Sequence, residues 1–155
     1  MSISRITIRV YGVHVNEQDE VLLSDEFIAG RKFTKFPGGG LELGEGLRDC
    51  LERECMEELN ARVKVEDHIY TTDFFQPSAF RKGDQIISVY YRFTPLETLD
   101  LDFKTKPFDF DELVDDAQAF RWMPLDRFSE EDVTFPIDRI VVRNLLNSWK
   151  STTNG

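Results

Sequence analysis

Three glutamates in the middle of the chain, Glu54, Glu57 and Glu58, have the type and spacing of a divalent-metal site. Residues 47–59 contain no glycine or proline and place apolar residues, among them Cys55, at four-residue spacing, which predicts a helix. On that helix the three carboxylates fall within an arc of about 100° beside the apolar stripe. Like charges four residues apart, and negative charges in the last helical turn, are unfavourable, so we expect a compensating cation. Oxygen ligands without His or Cys suit Mg²⁺ or Mn²⁺ rather than zinc.

A glycine-rich stretch leads directly into this predicted helix. Three glycines, Gly38 to Gly40, follow Pro37, and residues 44–46 predict a turn. Glycine occurs where the backbone turns sharply or passes close to another group, because it has no Cβ atom. The stretch therefore predicts a tight connection immediately ahead of the acidic helix.

The stretch from Gly38 to Ala61 resembles the signature of the Nudix hydrolases, written G-x5-E-x7-R-E-U-x-E-E-x-G-U, where U is a bulky aliphatic residue. The residues that stand in register on its fixed positions are Gly39, Glu45, Arg53, Glu54, Glu57 and Glu58. Cys55 takes the first U position, and Asn60 stands where the signature has its last glycine. Asparagine tolerates the left-handed conformation after a helix, so we predict that Asn60 does the structural work of that glycine.

This resemblance implies a fold and a function. The fold is an α/β/α sandwich with a mixed sheet, and the order of the predicted elements independently favours an α/β (α+β) architecture of this kind. The implied activity is hydrolysis of a pyrophosphate bond in a nucleoside diphosphate linked to another moiety, by in-line attack of metal-activated water at phosphorus. The alternative is a Nudix-fold module that binds a nucleotide-sugar without cleaving it. A complete set of signature glutamates favours the enzyme.

The resemblance also implies roles for individual residues. The expected ligands of Mg²⁺ (or Mn²⁺) are Glu54, Glu57, Glu58 and the backbone of Gly38. Arg53 is expected to orient the carboxylates by bidentate hydrogen bonding, and Glu45 to anchor the loop onto the helix. In the alternative without a functional role, Arg53 is a solvated ion-pair partner of Asp49 or Glu57 at helical spacing.

Family members often use a further acid outside the signature, on a loop shortly before a tryptophan. The match in this chain is Asp116, six residues before Trp122. Asp115 and Glu112 are rivals for the same role. The aspartate side chain is one methylene shorter than the usual glutamate.

Two further features bear on the substrate. Arg31, Lys32 and Lys35 form the densest group of cations before the signature, which is typical either of a phosphate-binding patch or of a solvated loop. Pro77, sixteen residues after Ala61, has a placement that resembles the ADP-ribose pyrophosphatase subgroup. An ordinary loop proline is an equal alternative.

Composition and charge limit the class of protein. The 155 residues carry a formal net charge of −10, which argues against a nucleic-acid scaffold, since binding there depends on Lys and Arg. We expect one domain over residues 1–155, with a frayed tail at 151–155. No apolar run approaches the ~18–20 residues of a membrane span, so we expect no membrane partner. Cys50 and Cys55 are poorly placed for a disulfide, which favours the cytoplasm. The expected partner is a nucleoside diphosphate derivative, with a homodimer left open.

Alternation of β-branched and aromatic residues predicts the remaining elements. Strands or extended segments are expected at residues 3–15, 21–23, 27–36, 62–65, 69–75, 85–93 and 117–123. The segment 85–93 is the most apolar and is expected in the interior of a sheet. Residues 96–116 read as an acidic, solvated connection, and Pro136 begins a helix with an apolar face through Lys150.

Overall fold

The computed structural model describes residues 2–154, and most of its helices and strands lie where the alternation and periodicity of the sequence predict them. The elements of that range are β1 (Arg5–Val13), β2 (Glu20–Ile28), β3 (Arg31–Lys35), β4 (Gly38–Gly40), α1 (Leu47–Leu59), β5 (Val63–Thr71), β6 (Asp84–Pro95), β7 (Ala117–Pro124) and α2 (Pro136–Asn154). Two short 3-10 helices, Leu125–Arg127 and Glu130–Asp132, precede α2.

The chain forms two compact units, of which the first takes in the chain up to Val13 and Pro37–Asp100. Its sheet has four strands in the order β4-β1-β6-β5. β1 and β6 run parallel, whereas β4 pairs with β1 and β5 pairs with β6 in antiparallel fashion. The sheet is therefore mixed, and β6 lies in its interior, as its apolar composition predicts.

Helix α1 packs on one face of this sheet through its apolar stripe. Leu51, Cys55 and Leu59 are buried there. A Cβ atom at Gly12 would lie 3.1 Å from Leu51 Cδ1 and 2.4 Å from Phe93 Cδ1, so glycine lets the helix approach the strand. The contact fixes which side of α1 faces inward and which side presents its glutamates.

The end of α1 confirms the expectation for Asn60. Its φ and ψ are 52° and 42°, in the left-handed region, and its N–H donates to the carbonyl of Met56 at 3.1 Å. Asparagine is one of the few non-glycine residues that adopt this conformation readily. The departure from the signature at this position therefore preserves the backbone geometry.

The second unit takes in His14–Phe36 and the chain from Leu101 onwards. Its sheet has the order β3-β2-β7 and is antiparallel throughout. Helix α2 belongs to this unit, and Val141 and Val142 on it are fully buried. The rings of Phe33 on β3 and Phe135, directly before α2, lie 5.2 Å apart between their centroids.

Strand β2 is longer than expected, because its polar residues are buried in pairs. Asp25 accepts hydrogen bonds from the Thr34 hydroxyl at 2.6 Å and from Arg121 Nε at 2.7 Å. Glu26 forms an ion pair with Lys35 at 2.8 Å. A sequence pattern cannot show these partners, since they come from other strands. Because the residues after Leu23 are polar, the pattern predicts that the strand ends there.

The acidic segment 96–116 is more ordered than a solvated connection. The Phe108 N–H donates to the buried carboxylate of Asp25 at 3.1 Å. The ring of Phe103 lies 5.3 Å from that of Trp122. Lys104 pairs with Asp111, so part of the local negative charge is neutralised within the segment. Backbone and aromatic contacts thus fix the segment beside β2 and β7.

The fold class predicted from the sequence is confirmed as a mixed α+β architecture with two helices. The strands divide between two sheets, of which the four-stranded one is mixed. Helix α2 continues past Lys150 to Asn154; Gly155 lies outside the described residues, so fraying of the tail stays a prediction. The assignment of one domain over residues 1–155 also stays a prediction. Across residues 2–154, no helix has the length and apolarity needed to cross a membrane.

The left-handed geometry of Asn60 leads to a first prediction. We expect Asn60→Gly to be neutral or mildly stabilising, whereas Asn60→Val should lower the free energy of unfolding by about 1–2 kcal/mol, because a β-branched residue is strained at positive φ. Urea unfolding of the two variants and the wild type measures the difference. Equal stability of the glycine and valine variants would show that the position has ordinary backbone geometry in solution.

Candidate active site

The glycines of β4 bring the backbone against α1. Gly38 has φ of +140°, and a Cβ atom there would lie 2.1 Å from the carbonyl oxygen of Val10. At Gly39 a Cβ atom would lie 2.5 Å from Glu54 Oε1. Since real Cβ atoms do not approach other atoms so closely, both positions require glycine. The carboxylate of Glu54 consequently lies directly on the backbone of β4.

Arg53 is the centre of the hydrogen bonds around this backbone. Its Nε and Nη2 atoms donate to the two carboxylate oxygens of Glu45 at 3.0 and 2.7 Å. Nη2 also donates to the carbonyl of Gly40 at 2.9 Å, and Nη1 donates to Glu54 Oε1 at 3.1 Å. A weaker contact of 3.3 Å joins Nη1 to Glu57. One guanidinium group therefore connects the β4 strand, the following loop and α1.

The alternative, in which Arg53 is only a solvated partner of Asp49 or Glu57, does not describe this geometry. The Arg53 side chain is 23 % exposed, and its shortest bonds go to Glu45 and Gly40, outside α1. Asp49, the other suggested partner, accepts instead from the Gly46 N–H at 2.9 Å, at the beginning of the helix. The helical-spacing contact with Glu57 exists, but it is the longer one.

Glu45 ties the loop to the helix, as its expected role requires. Its Oε1 atom also accepts a hydrogen bond from the Glu42 N–H at 2.8 Å. The hydrogen bonds from Arg53, and next the one from Glu42, lower the pKa of the Glu45 carboxyl to about 2. The same contact with Glu45 raises the pKa of Arg53. The pair is therefore charged across the ordinary pH range.

The three helix glutamates are placed on one side of α1 but differ in their surroundings. The Glu54 side chain is 14 % exposed and that of Glu57 is 56 % exposed. Glu58 Oε2 accepts from the Gly38 N–H at 3.3 Å. Over residues 2–154, no group of three or more His, Cys, Asp or Glu is gathered closely enough to hold a metal ion. The donors are of the type that Mg²⁺ prefers, yet their carboxylates do not converge on one point in this conformation.

Cys50 is a neighbour of this site that its position in the sequence does not reveal. Its Sγ atom lies 3.5 Å from the Gly40 carbonyl oxygen and 3.7 Å from Arg53 Nη2. Burial, followed by the nearby charge of Glu45, raises the pKa of the thiol to about 12. Both Cys50 and Cys55 are free and buried, so Cys50 acts as packing under the loop rather than as a nucleophile.

The basic residues before the signature and the expected acid outside it belong to the second unit. Lys35 is buried, forms its ion pair with Glu26 and donates to the Phe36 carbonyl at 3.3 Å, whereas Arg31 and Lys32 are exposed. The three cations thus do not form one solvated patch. Asp116 is exposed, has φ of 67° and directly precedes β7, with its N–H donating to the Phe27 carbonyl.

The lowered pKa of Glu45 predicts a pH-dependent contribution to stability. A carboxyl whose pKa is lower in the folded state stabilises that state above its unfolded pKa of about 4.5, and the contribution is lost as pH falls toward about 2. We expect Glu45→Gln to lower the free energy of unfolding at pH 7, with the gap to wild type closing between pH 4.5 and pH 2. Urea unfolding at a series of pH values measures this gap.

The matched control is Glu42→Gln. Glu42 makes the same kind of contact with Arg53, but at 3.6 Å and with 66 % of its side chain exposed. We expect only a small change in this variant, since exposed pairs contribute little. Equal losses in the two variants, or a gap for Glu45→Gln that does not depend on pH, would contradict the role of the Glu45–Arg53 pair.

Comparison with known proteins places this geometry in a family. The family model described as NUDIX domain matches residues 5–145. No curated protein matches the sequence. A NUDIX hydrolase from Nitrosomonas europaea is 17 % identical, with 92 % of this chain and 89 % of that chain covered and a TM-score of 0.66.

Two further solved structures have the same fold. A UDP-X diphosphatase is 16 % identical over 99 % of this chain and 66 % of that chain, with a TM-score of 0.63. An ADP-ribose pyrophosphatase from Streptococcus suis is 14 % identical over 92 % and 90 % of the two chains, with a TM-score of 0.56. At these identities the structures establish the fold, and the family model establishes the relationship. The chain therefore belongs to the NUDIX domain family, which confirms the resemblance found in residues 38–61.

Proposed function

We propose that this protein hydrolyses the pyrophosphate bond of a nucleoside diphosphate linked to another moiety. The observation that carries the proposal is the Arg53 clamp, in which one guanidinium holds Glu45 and Glu54 against the bare backbone of β4. A domain that only bound a nucleotide would not need a row of carboxylates held in this way. Membership of the NUDIX domain family supports the same activity.

The proposed ligands of Mg²⁺ or Mn²⁺ are Glu54, Glu57, Glu58 and the backbone of Gly38. Their oxygen donors fit a hard divalent cation. Because Glu57 is largely exposed, its side chain can turn away from Arg53 at little cost. Glu58 is already bonded to the Gly38 N–H, so it lies beside the proposed backbone ligand. When bound, the cation would supply positive charge at the phosphates and lower the pKa of water.

The residues of the chain have separate tasks in the proposed reaction. Arg53 fixes the carboxylate of Glu54 and, through Glu45, the loop ahead of α1. The absence of side chains at Gly38 and Gly39 lets the β4 backbone lie directly against β1 and the Glu54 carboxylate, so the proposed backbone ligand is held beside the glutamates. Water attacks phosphorus in line, the bond to the leaving phosphate breaks, and a glutamate of α1 can accept the proton of the water.

Contributions from the second unit are proposals that rest on the sequence. Asp116 is exposed and is available as the further acid outside the signature. Arg31 and Lys32 are exposed and are proposed to bind substrate phosphate. The sequence predicts the same role for Lys35, but its ammonium is already paired with Glu26, so we expect its contribution to be the smallest of the three.

The solved structures with this fold include enzymes named for different substrates, a UDP-X diphosphatase and an ADP-ribose pyrophosphatase. They therefore do not decide which derivative this chain takes, and neither does Pro77, which pairs with Gln85 at the start of β6. The direct experiment is a panel of nucleoside diphosphate derivatives with Mg²⁺ or Mn²⁺, assayed for nucleotide release. Tight binding without release on the whole panel would favour the alternative, a module that binds a nucleotide-sugar without cleaving it. A cytoplasmic location, which the free cysteines favour, and a homodimer are also proposals.

Metal binding should raise the thermal stability of the protein. Glu54, Glu57 and Glu58 repel one another, and a ligand that binds only the folded state adds about 2.7 kcal/mol at a concentration 100 times its Kd. We expect millimolar Mg²⁺ or Mn²⁺ to raise the Tm by several degrees relative to sodium chloride of equal ionic strength. An unchanged Tm, both with and without a nucleotide, would count against the glutamates as a metal site.

Replacement of one proposed ligand should separate turnover from folding. Glu58→Gln keeps the volume and hydrogen bonding of the side chain but removes a charge, so we expect kcat to fall by about two orders of magnitude or more. The fold should survive, because the like-charge contact with Glu54 is relieved. Nucleotide affinity should fall less than the rate.

Glu52→Gln is the matched control, because Glu52 is exposed on the same helix and lies outside the fixed positions of the signature. Its kcat should equal that of the wild type. A folded Glu58→Gln variant with wild-type activity would show that Glu58 is not a ligand in the reaction.

A further inference from the structure

Exposed apolar side chains of this chain are concentrated in two loops. Among residues 2–154, nine large apolar side chains are exposed, and five of them lie between β5 and β6 or directly ahead of β7. The first loop has Phe74, Phe75 and Phe80, and the second has Leu113 and Val114. Single exposed apolar residues are ordinary at a protein surface, whereas clusters of them indicate that another surface binds there.

The charges in the two loops have opposite sign. Arg81 and Lys82 are exposed directly after the last phenylalanine of the first loop. The second loop has five exposed carboxylates, which are Asp109, Asp111, Glu112, Asp115 and Asp116. Residues 74–82 are named the aromatic loop below, and residues 109–116 are named the acidic loop. The aromatic loop is thus a cationic region on a chain whose net charge is −10.

Hydrogen bonds fix the shape of the aromatic loop. The Ser78 hydroxyl accepts from the N–H groups of Phe80 and Arg81 at 3.2 and 3.1 Å. The Ser78 N–H donates to the carbonyl of Asp84, at the start of β6, at 2.9 Å. A folded turn therefore presents the phenylalanines to solvent. A partner that binds them meets a surface that is already ordered, which lowers the entropic cost of association.

The acidic loop is fixed in a similar way. The Asp115 carboxylate accepts from the Ala29 N–H at 2.8 Å. Within the loop the Val114 N–H donates to the Glu112 carbonyl at 3.0 Å, and the Ala117 N–H donates to the Val114 carbonyl at 3.0 Å. The two aliphatic side chains are thus held outward by bonds to their own backbone and to the β2–β3 turn.

Each loop keeps an excess of one charge. Asp84, beside the aromatic loop, is bound by Arg5 through hydrogen bonds of 3.2 and 2.9 Å. Those bonds are the main cause of the lowered pKa of Asp84, and the charge of Arg81 is the smallest cause. In the acidic loop, Lys104 pairs with Asp111 and offsets one of the five negative charges. The loops are therefore complementary in charge, and both are apolar at their centre.

We propose that the aromatic loop of one copy of this chain binds the acidic loop of a second copy. The phenylalanines would be buried against Leu113 and Val114, with Arg81 and Lys82 beside the carboxylates. A second copy is favoured as the occupant because the chain itself provides the complementary surface for each loop. The net charge opposes the approach of two copies, but beyond about 8 Å it is screened at physiological salt, so the groups in contact decide. The inference is independent of the proposed hydrolysis.

Sedimentation velocity of the full chain at a series of protein concentrations tests the proposal. We expect the wild type to form a species of at least the mass of a dimer as the concentration rises. Arg81→Glu with Lys82→Glu should raise the Kd of association by at least about tenfold, because like charges then face one another. Phe75→Ser should also weaken association, since Phe75 is 60 % exposed and supplies apolar area to the contact.

A charge exchange identifies the two surfaces that meet. Asp109→Lys with Glu112→Lys gives the acidic loop a positive charge, and this variant should not associate with itself. Neither should the Arg81→Glu, Lys82→Glu variant. An equimolar mixture of the two should associate, because the aromatic loop of each variant then has the opposite charge to the acidic loop of the other.

Matched controls separate the contact from general effects of charge and polarity. Lys64→Glu with Arg127→Glu makes the same change in net charge at exposed positions outside both loops. Leu96→Ser removes a side chain that is 57 % exposed, close to the value for Phe75. Both controls should associate as the wild type does. The Tm of every variant is measured to show that it is folded.

The outcomes decide between this contact and other occupants of the aromatic loop. A wild type that stays a monomer at every concentration overturns the inference, as does a mixture of the two charge variants that remains monomeric. Equal weakening in the loop variants and in their controls overturns it too. A monomeric wild type that binds a single-stranded oligonucleotide through Phe75 would show that the occupant is a nucleic acid, and the inference would be wrong.

Discussion

The hydrogen-bonded pair of Arg53 and Glu45 is the interaction on which the geometry of the candidate site depends. It joins α1 to the loop ahead of it, and through the Gly40 carbonyl it joins both to β4. The clustered glutamates of α1 repel one another, and their spacing in the sequence predicts compensation by a metal ion. In the structure Arg53 supplies part of that compensation, because its guanidinium contacts Glu54 and Glu57. A bound cation would therefore act on carboxylates that are already oriented.

The bare backbone of β4 is the second constraint. Gly38 and Gly39 have no room for a Cβ atom, since the carbonyl of Val10 and the carboxylate of Glu54 occupy the places it would take. Because Gly38 has no side chain, Tyr11 on β1 can also lie close to β4. The glycines are therefore needed for packing in the free protein, because this packing holds the backbone of β4 beside the carboxylate of Glu54.

The second unit shows how buried charge can extend a strand. Asp25 and Glu26 are adjacent on β2 and bind Arg121 and Lys35, respectively. Burying a charge without a partner is costly, whereas a pair with all its hydrogen bonds satisfied is tolerated. The pairs fix the register of β3 and β7 against β2. They also involve Lys35, a residue whose charge in the sequence suggested a role at the surface.

Local pattern determined much of this protein. The periodicity of residues 47–59 specifies α1, and the ability of Asn60 to adopt the left-handed conformation specifies where the helix ends. The spacing of the signature specifies the family. Each of these depends on residues that are near one another in the chain. The tertiary structure alone decided that Arg53 would turn to Glu45 and Gly40 and that Lys35 would be buried. Those outcomes depend on strand register and on partners distant in sequence, and no local spacing encodes which strands become neighbours.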